Sequence, residues 1–356
     1  MFTIQMLNAA HGDCLWIEYG DAAKPHRILI DTGPAATYRA SLADKVQAVV
    51  DAEGRCVFEL FVITHIDDDH IGSSLRFLDE LNFDTVKIKD VWFNGYFHLS
   101  NLVPAQLGAL QGEMLTELIQ RGKWPWNRHF QRKAVMVPKS GPLPVHDFAG
   151  MQLTLLSPSF ERLQALKPEW EKTIREAGLV PGEAFHAQET VLPHGFLGGD
   201  VEEMAAEPFK EDQTHPNGSS IAFIAEFEGK RVLFGADAHP SVLLESLQRA
   251  PFKGRPQALD AFKLAHHGST RNTSLELLEA FPATHYLIST TGAKFKHPDE
   301  EAIARVVVSA RERSPVLHFN VESAFNKAWR SASRCSDFGY RCEYGSPEDG
   351  LLVKLP

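Results

Sequence analysis

Residues 64–73 read Thr-His-Ile-Asp-Asp-Asp-His-Ile-Gly-Ser and follow directly on the apolar run VFELFVI at 57–63. Within six positions stand His65, Asp67, Asp68, Asp69 and His70. Three neighbouring carboxylates repel one another and lose hydration where the chain is buried, so the arrangement costs free energy unless positive charge sits among them. A divalent cation reverses that sign, and imidazole nitrogens beside carboxylate oxygens are a donor set that such ions accept.

Working outward, the same design recurs. FTIQMLNA, LWIEYG, RILIDTG and VFELFVITH read as strands by alternation or apolar run, with SLADKVQAVVDAEG helical between the third and fourth. SSIAFIAEFEGKRVLFGADAH reads as a hairpin ending on Asp237, AFKLAHHGS ends on His266 and His267, THYLIST leads into GAKFKHPDE, and VLHFN is the last strand before a polar C-terminal stretch. Polar clusters at strand C-termini are where α/β sites are built. Residues 100–135 and 158–213 are helix-prone and read as inserts in a single domain spanning 1–356, the second a candidate lid with an acidic, solvated face.

Composition narrows the class. A chain of 356 residues with 44% hydrophobic and 23% charged residues folds with a sizeable core. A formal charge of -10 argues against a general nucleic-acid coat, which needs many Lys and Arg on phosphates. No stretch has the length and apolarity of a membrane span or the pattern of a signal peptide, so a soluble cytoplasmic protein with no membrane partner is expected. Cys14, Cys56, Cys335 and Cys342 lack metal-finger spacing and read as reduced thiols. Oligomeric state is not legible.

The run His65-Ile-Asp67-Asp68-Asp69-His70-Ile-Gly resembles the HxHxDH signature of the metallo-β-lactamase superfamily, in the HxDxDH variant of ComEC-type hydrolase domains. NAAHGDCLWIEYG, ILIDTG, VLFGADA, LAHHGST and GAKFKHPDE agree with that variant in order, over residues 1 to about 310. The resemblance implies a four-layer αββα sandwich with the site on one edge of two packed sheets. It also implies two divalent ions, manganese or zinc with magnesium open, held by His65 and Asp67 on one side and Asp69 and His70 on the other, with Asp237 bridging. A further ligand is His215 or Asn217 in HPNGSS, and His266 or His267 either completes the second ion or touches the scissile phosphate.

Asp67, standing where the superfamily usually has a second histidine, exchanges nitrogen for hard oxygen and weakens the preference for zinc. The implied chemistry is hydrolysis by a metal-bridging hydroxide, with Asp69 orienting the water, His297 protonating the leaving oxygen, and His267, Ser269, Thr270 and the lysines at 294 and 296 contacting phosphate. The expected substrate is a phosphodiester in a nucleic acid or a nucleotide-derived molecule. Alternatives are a lactone, thioester or amide hydrolase of the same fold, and a non-catalytic metal-binding regulatory module. His11, Asp13 and Asp31 read as hydrogen-bonding supports. KWPWNRHFQRK (123–133) reads as an aromatic cap on the sheet in preference to a stacking patch.

Overall fold

Strand alternation sorts the side chains of the first half into two layers. In β2 (Leu15–Asp21) and β3 (Lys24–Ile30), which follow β1 (Phe2–Met6), residues Leu15, Ile17, Tyr19, Ile28 and Ile30 face one core while Trp16 and Leu29 face another. Beyond β4 (Cys56–Phe58), β5 (Leu60–Val62) repeats the division, Leu60 and Val62 on one side and Phe61 on the other. The chain is seen here in a computed structural model that describes residues 1–100, 109–176 and 200–355. Residues 101–108 and 177–199 of the two expected inserts lie outside it.

The remaining strands are β6 (Val86–Ile88), β7 (Val91–Trp92), β8 (Val145–Phe148), β9 (Met151–Ser157), β10 (Ala222–Phe227), β11 (Lys230–Phe234), β12 (Leu259–Lys263), β13 (Ala283–Ile288), β14 (Val316–Phe319), β15 (Arg341–Tyr344) and β16 (Leu351–Leu355). Among the described residues they form a six-stranded sheet, β16-β1-β2-β3-β5-β7, an eight-stranded sheet, β15-β14-β13-β12-β11-β10-β9-β8, and a small β4-β6 pair. The two large sheets face each other. Leu15, Ile17 and Ile30 of the first share one core with Leu153, Leu155, Phe223, Val232 and Phe234 of the second. Each such side chain contributes on the order of 1.5–3 kcal/mol by leaving water.

Helices cover both outer faces. Trp16, Leu29, Phe61 and Ile63 pack with Val46 of helix Ala43–Glu53 and Ile71, Phe77 and Leu78 of helix Asp68–Glu80. Leu243, Leu277, Leu278, Ile303 and Val307 of helices Pro240–Leu247, Leu275–Ala280 and Glu300–Ala310 pack on the other sheet. The result is the expected αββα order. The expected hairpin forms as β10 and β11, from Phe223↔Phe234 to Phe227↔Lys230, and Glu228 and Gly229 turn it with φ of 49° and 79°.

Two readings are corrected. VFELFVI is not one strand: Glu59 breaks it, because its buried carboxylate binds Lys89 Nζ at 2.7 Å and His26 Nδ1 at 2.9 Å, which sends Cys56–Phe58 to a separate pairing with β6. VLHFN is not the last strand either. The polar C-terminal stretch supplies β15 and β16, each at a sheet edge.

What positions the site is parallel pairing. β3 runs parallel to β5, and β11, β12 and β13 run parallel to one another. Their C-terminal ends therefore gather at one edge of the sandwich, where Ile221 N donates to Thr64 O at 2.9 Å and Thr291 N to Ala10 O at 2.7 Å, tying the loops of the two sheets together.

Candidate metal centre

After β5 the chain turns at Thr64 and His65 and starts helix Asp68–Glu80, with Asp67 as its extended N-cap residue. Crowded carboxylates thus sit at the positive end of a helix dipole, which offsets part of their repulsion. They point different ways. Asp68 turns aside, its Oδ1 accepting from Gln111 Nε2 at 2.8 Å, which docks helix Ala109–Arg121 against the loop. Asp69 is buried, with Oδ2 at 3.2 Å from His267 Nε2. Gly12 packs under this turn so closely that a Cβ there would meet Asp69 O at 1.8 Å.

Asp237 stands at the middle. Its Oδ1 is 3.3 Å from His70 Nε2, and its Oδ2 is 3.8 Å from His65 Nε2 and 3.7 Å from His266 Nε2. His65 Nε2 is also 3.7 Å from Asp67 Oδ2, and His70 Nε2 is 3.2 Å from His267 Nε2. His65, His70 and Asp237 offer ligand atoms that all lie within 4.8 Å of one another.

The protons on these rings are set from behind. Asp31 accepts from Thr64 N at 2.8 Å and Thr64 Oγ1 at 2.7 Å, and from His70 Nδ1 at 2.8 Å. Having donated to Asp31, the Thr64 hydroxyl is left to accept from His65 Nδ1 at 3.0 Å. One carboxylate thereby places the N–H of both rings on Nδ1 and bares both Nε2 atoms. His267 Nδ1 faces the carbonyl of Ser289 at 2.9 Å, which can only accept, so its Nε2 is bare as well.

That chemistry tests whether a metal fits. Two bare imidazole nitrogens 3.2 Å apart repel unless something electrophilic lies between them. His65 Nε2, Asp237 Oδ1 and Asn217 Oδ1 are buried without a hydrogen-bond partner. Buried unpaired acceptors of this kind are costly. Divalent ions satisfy all of them, and the donor set of nitrogen and carboxylate oxygen suits them.

The electrostatics agree. Burial opposes charging of Asp237, yet His70, His266 and His267 hold its carboxyl well below the usual range. Burial likewise works against His70⁺, and Asp237 and Asp31 overcome it and raise the ring well above its ordinary value. His266 is pushed up to about 9, burial again opposing Asp237 and Asp212. The pocket attracts positive charge, as protons or as metal.

Asp13, His70 and His267 also converge within 4.8 Å. Asp13 Oδ2, however, is bound by buried Lys263 Nζ at 2.6 Å, and Oδ1 stands on the Nδ1 side of His267 at 3.4 Å. Its carboxylate therefore orients the ring, as expected of a support.

Of the two histidines in HHG, His267 joins Asp69 and His70, and His266 lies toward Asp237 Oδ2 with Nδ1 at 3.0 Å from Asn272 Oδ1 and 3.6 Å from Asp212 Oδ2. His215 is not gathered into this group. It opens the short helix His215–Gly218 at the surface, and buried Asn217 turns inward, its Nδ2 donating to Asp212 Oδ2 at 2.6 Å and lying 3.3 Å from His266 Nδ1. His297 stands beside His266 at 5.0 Å between ring centroids, its Nδ1 bound to Asp299 Oδ1 at 2.9 Å. Ser269 is buried with Oγ accepting from Arg271 N at 3.3 Å, and Thr270 Oγ1 accepts from Arg305 of helix Glu300–Ala310 at 2.8 Å.

Sequence reasoning passed over Asp212. It lay in a stretch read as a solvated face, and the one available signal was an Asp followed at short spacing by Thr214, the turn it forms by accepting from Thr214 N at 2.9 Å. The 123–133 segment is the aromatic cap: Trp126 Nε1 donates to Phe93 O at 2.9 Å with its ring stacked on Phe93, and Trp124 stacks on Phe83.

The family profile described as Metallo-beta-lactamase superfamily matches residues 11–292. The chain belongs to that superfamily, whose members are mostly hydrolytic enzymes and whose fold typically binds two divalent metals. No curated protein sequence matches it. Solved structures similar to it include the metallo-beta-lactamase fold protein YhfI from Bacillus subtilis, 9% identical, covering 99% of both chains with a TM-score of 0.42. Zn(2+)-bound PqqB from Methylobacterium extorquens is 10% identical over 99% of this chain and 100% of its own, with a TM-score of 0.42. A diphosphatase of the PhnP family is 11% identical over 100% and 98%, with a TM-score of 0.38. No helix among the described residues is long and apolar enough to cross a membrane.

Proposed function

We propose that this metal-dependent hydrolase cleaves phosphodiester bonds of a nucleic acid or a nucleotide-derived molecule. The observation that carries the reading is the weight of oxygen in the donor set. On one side of the centre the carboxylates of Asp67 and Asp237 flank His65 Nε2 at 3.7 and 3.8 Å, with His266 Nε2 3.7 Å from the same Asp237 oxygen, while Asp69, His70 and His267 form the other. Oxygen donors favour manganese or magnesium over zinc, and hard ions pair with phosphoryl oxygen.

In this reading His65, Asp67 and Asn217 would hold one ion, Asp69, His70 and His267 the other, and Asp237 would touch both. When bound, the ions supply a water acidified to near neutral pH and charge balance at the phosphoryl oxygens. Asp69 would orient the attacking water as well as hold the ion, its carboxyl kept ionised against burial by His267 and His70. His297 Nε2 delivers a proton to the leaving oxygen, since Asp299 holds its Nδ1 and itself lies below the usual carboxyl range, burial being outweighed by His297. His266, with a fifth of its side chain exposed between Asp237 and His297, faces the substrate. The lactone, thioester or amide alternative is disfavoured by the same oxygen weighting.

The test uses metal-stripped protein given Mn, Mg or Zn, with bis-p-nitrophenyl phosphate and linear single-stranded DNA as substrates and Asp69→Ala/His70→Ala as control. Metal-dependent turnover that the double variant loses is the expected result. Turnover of lactone or thioester esters in place of both phosphodiesters would sink the proposal.

A further inference from the structure

The loop GAKFKHPDE carries the one large apolar side chain that is both exposed and part of the metal centre's rim among the described residues. Phe295 is 43% exposed. Its ring lies 5.6 Å from His11, edge-on, and 6.5 Å from His297, nearly parallel, and His297 in turn lies 5.0 Å from His266. Lys294 Nζ stands 5.1 Å from the Phe295 centroid, and Lys296 follows it.

The presentation is enforced by the backbone. Thr291 N binds Ala10 O at 2.7 Å at one end of the loop, and Asp299 N binds Gly268 O at 3.0 Å at the other, with Asp299 Oδ2 accepting from Thr270 N at 2.7 Å. Between them Lys296 N closes on Gly292 O at 2.8 Å. That bond throws Ala293, Lys294 and Phe295 outward as a tight turn and leaves Lys296 in the left-handed region at φ 67°, which an unbranched residue adopts at a cost. Gly292, at φ 74°, has no room for a side chain, since a Cβ there would meet Phe325 at 2.3 Å. A strained, doubly anchored turn that holds an aromatic ring in water beside a catalytic edge has no benefit to the core.

We propose that Phe295 is a stacking surface for a nucleobase of the substrate, with Lys294 and Lys296 meeting the adjoining phosphates. This rests on the phosphodiesterase reading and names its substrate class, a base-bearing nucleotide in preference to a bare diester. An aromatic face stacks on any base, which gives affinity with little sequence preference, and the flanking ammonium groups supply the charge that the acidic surface elsewhere withholds.

The experiment compares a dinucleoside monophosphate carrying two adenines with the same phosphodiester carrying two abasic tetrahydrofuran residues, on metal-loaded wild type, Phe295→Ala and Phe295→Trp. Wild type is expected to favour the base-bearing compound; Phe295→Ala lowers its kcat/KM about tenfold, through KM, leaves the abasic compound within about twofold, and Phe295→Trp retains the preference. Equal handling of both compounds by wild type, or equal loss on both in Phe295→Ala, overturns the stacking surface and leaves the phosphodiesterase reading intact. Calorimetric titration of the two compounds into metal-free protein separates the other failure. A base preference abolished by Phe295→Ala without any turnover keeps the surface and removes the phosphodiesterase, and no base preference in binding or turnover removes the surface.

Discussion

The two sides of Asp237 are built differently. On one side Asp69, His70 and His267 are buried, and both histidines are pinned through Nδ1, by Asp31 and by the Ser289 carbonyl. On the other, Asp67 leaves 38% of its side chain exposed 3.7 Å from His65 Nε2, and His266, with 22% of its side chain exposed, lies 3.7 Å from Asp237 Oδ2. The first side is buried and fixed; the second is more exposed. The difference teaches that one carboxylate can be shared between a buried, hydrogen-bonded half and a half that reaches solvent.

The largest effect is expected where the sides meet. Asp237→Asn should lower kcat/KM on the order of a thousandfold or more and drop bound metal, measured by plasma mass spectrometry, on both sides at once. Loss of one equivalent only would show that Asp237 belongs to one side. Next, Asp67→Ala/Asn217→Ala should release one equivalent of metal and keep the other under dialysis that strips both from Asp69→Ala/His70→Ala. Retention in the reverse order would invert the comparison. Asp67→His, adding nitrogen to the open side, should raise zinc occupancy over manganese in mixed-metal competition.

Asp31 acts on both sides, because it sets the tautomers of His65 and His70. Asp31→Asn replaces one acceptor oxygen by a donor and should weaken metal binding about 10–100-fold, read by chelator competition. A change confined to one equivalent would mean that the Thr64 relay to His65 is idle. The smallest effect is a pH slope. With His266 at about 9 in the folded chain against 6.5 unfolded, the folded state binds more protons between those values. Stability from this group is complete below pH 6.5 and is lost as pH rises toward 9, about 2 kcal/mol after allowance for its partial exposure. Metal-free protein should therefore melt at lower temperature as pH rises through that window, His266→Gln should flatten the slope, and metal loading should reverse it, since ligands must shed protons to bind. An unchanged slope in the loaded protein would deny that protons and metals compete here.

Most of this was legible where the chemistry is contiguous. THIDDDHIGS, VLFGAD and AHHG each carry their donors beside an apolar run, so the pattern places them at strand ends before any contact is known. Illegible were choices made by long-range partners. Asn217 turns inward and His215 outward because Asp212 anchors the amide, and Asp212 reads in isolation like any acid of a polar loop. The Asp13–Lys263 pair joins residues 250 apart. The break at Glu59 depends on Lys89, thirty residues on. In β16 the exposed Leu352 stands between Leu351 and buried Val353, so residue type hides the alternation that the strand has, and β15 is four residues long.

The Asp13–Lys263 pair has a consequence for biosynthesis. β1 takes one of its two antiparallel neighbours, β2, from close by in the chain and the other from Leu351–Leu355, and the N-terminal turn beneath Asp69 is seated by the lysine that ends β12, four residues before His267. The nascent chain must emerge beyond residue 267 before the buried half of the centre has all its donors, and to residue 355 before the first sheet closes. A ribosome-stalled fragment ending before residue 263 would carry the HxDxDH sequence without Lys263 and His267, so neither the Asp13–Lys263 pair nor the approach of His267 to Asp69 and His70 could form.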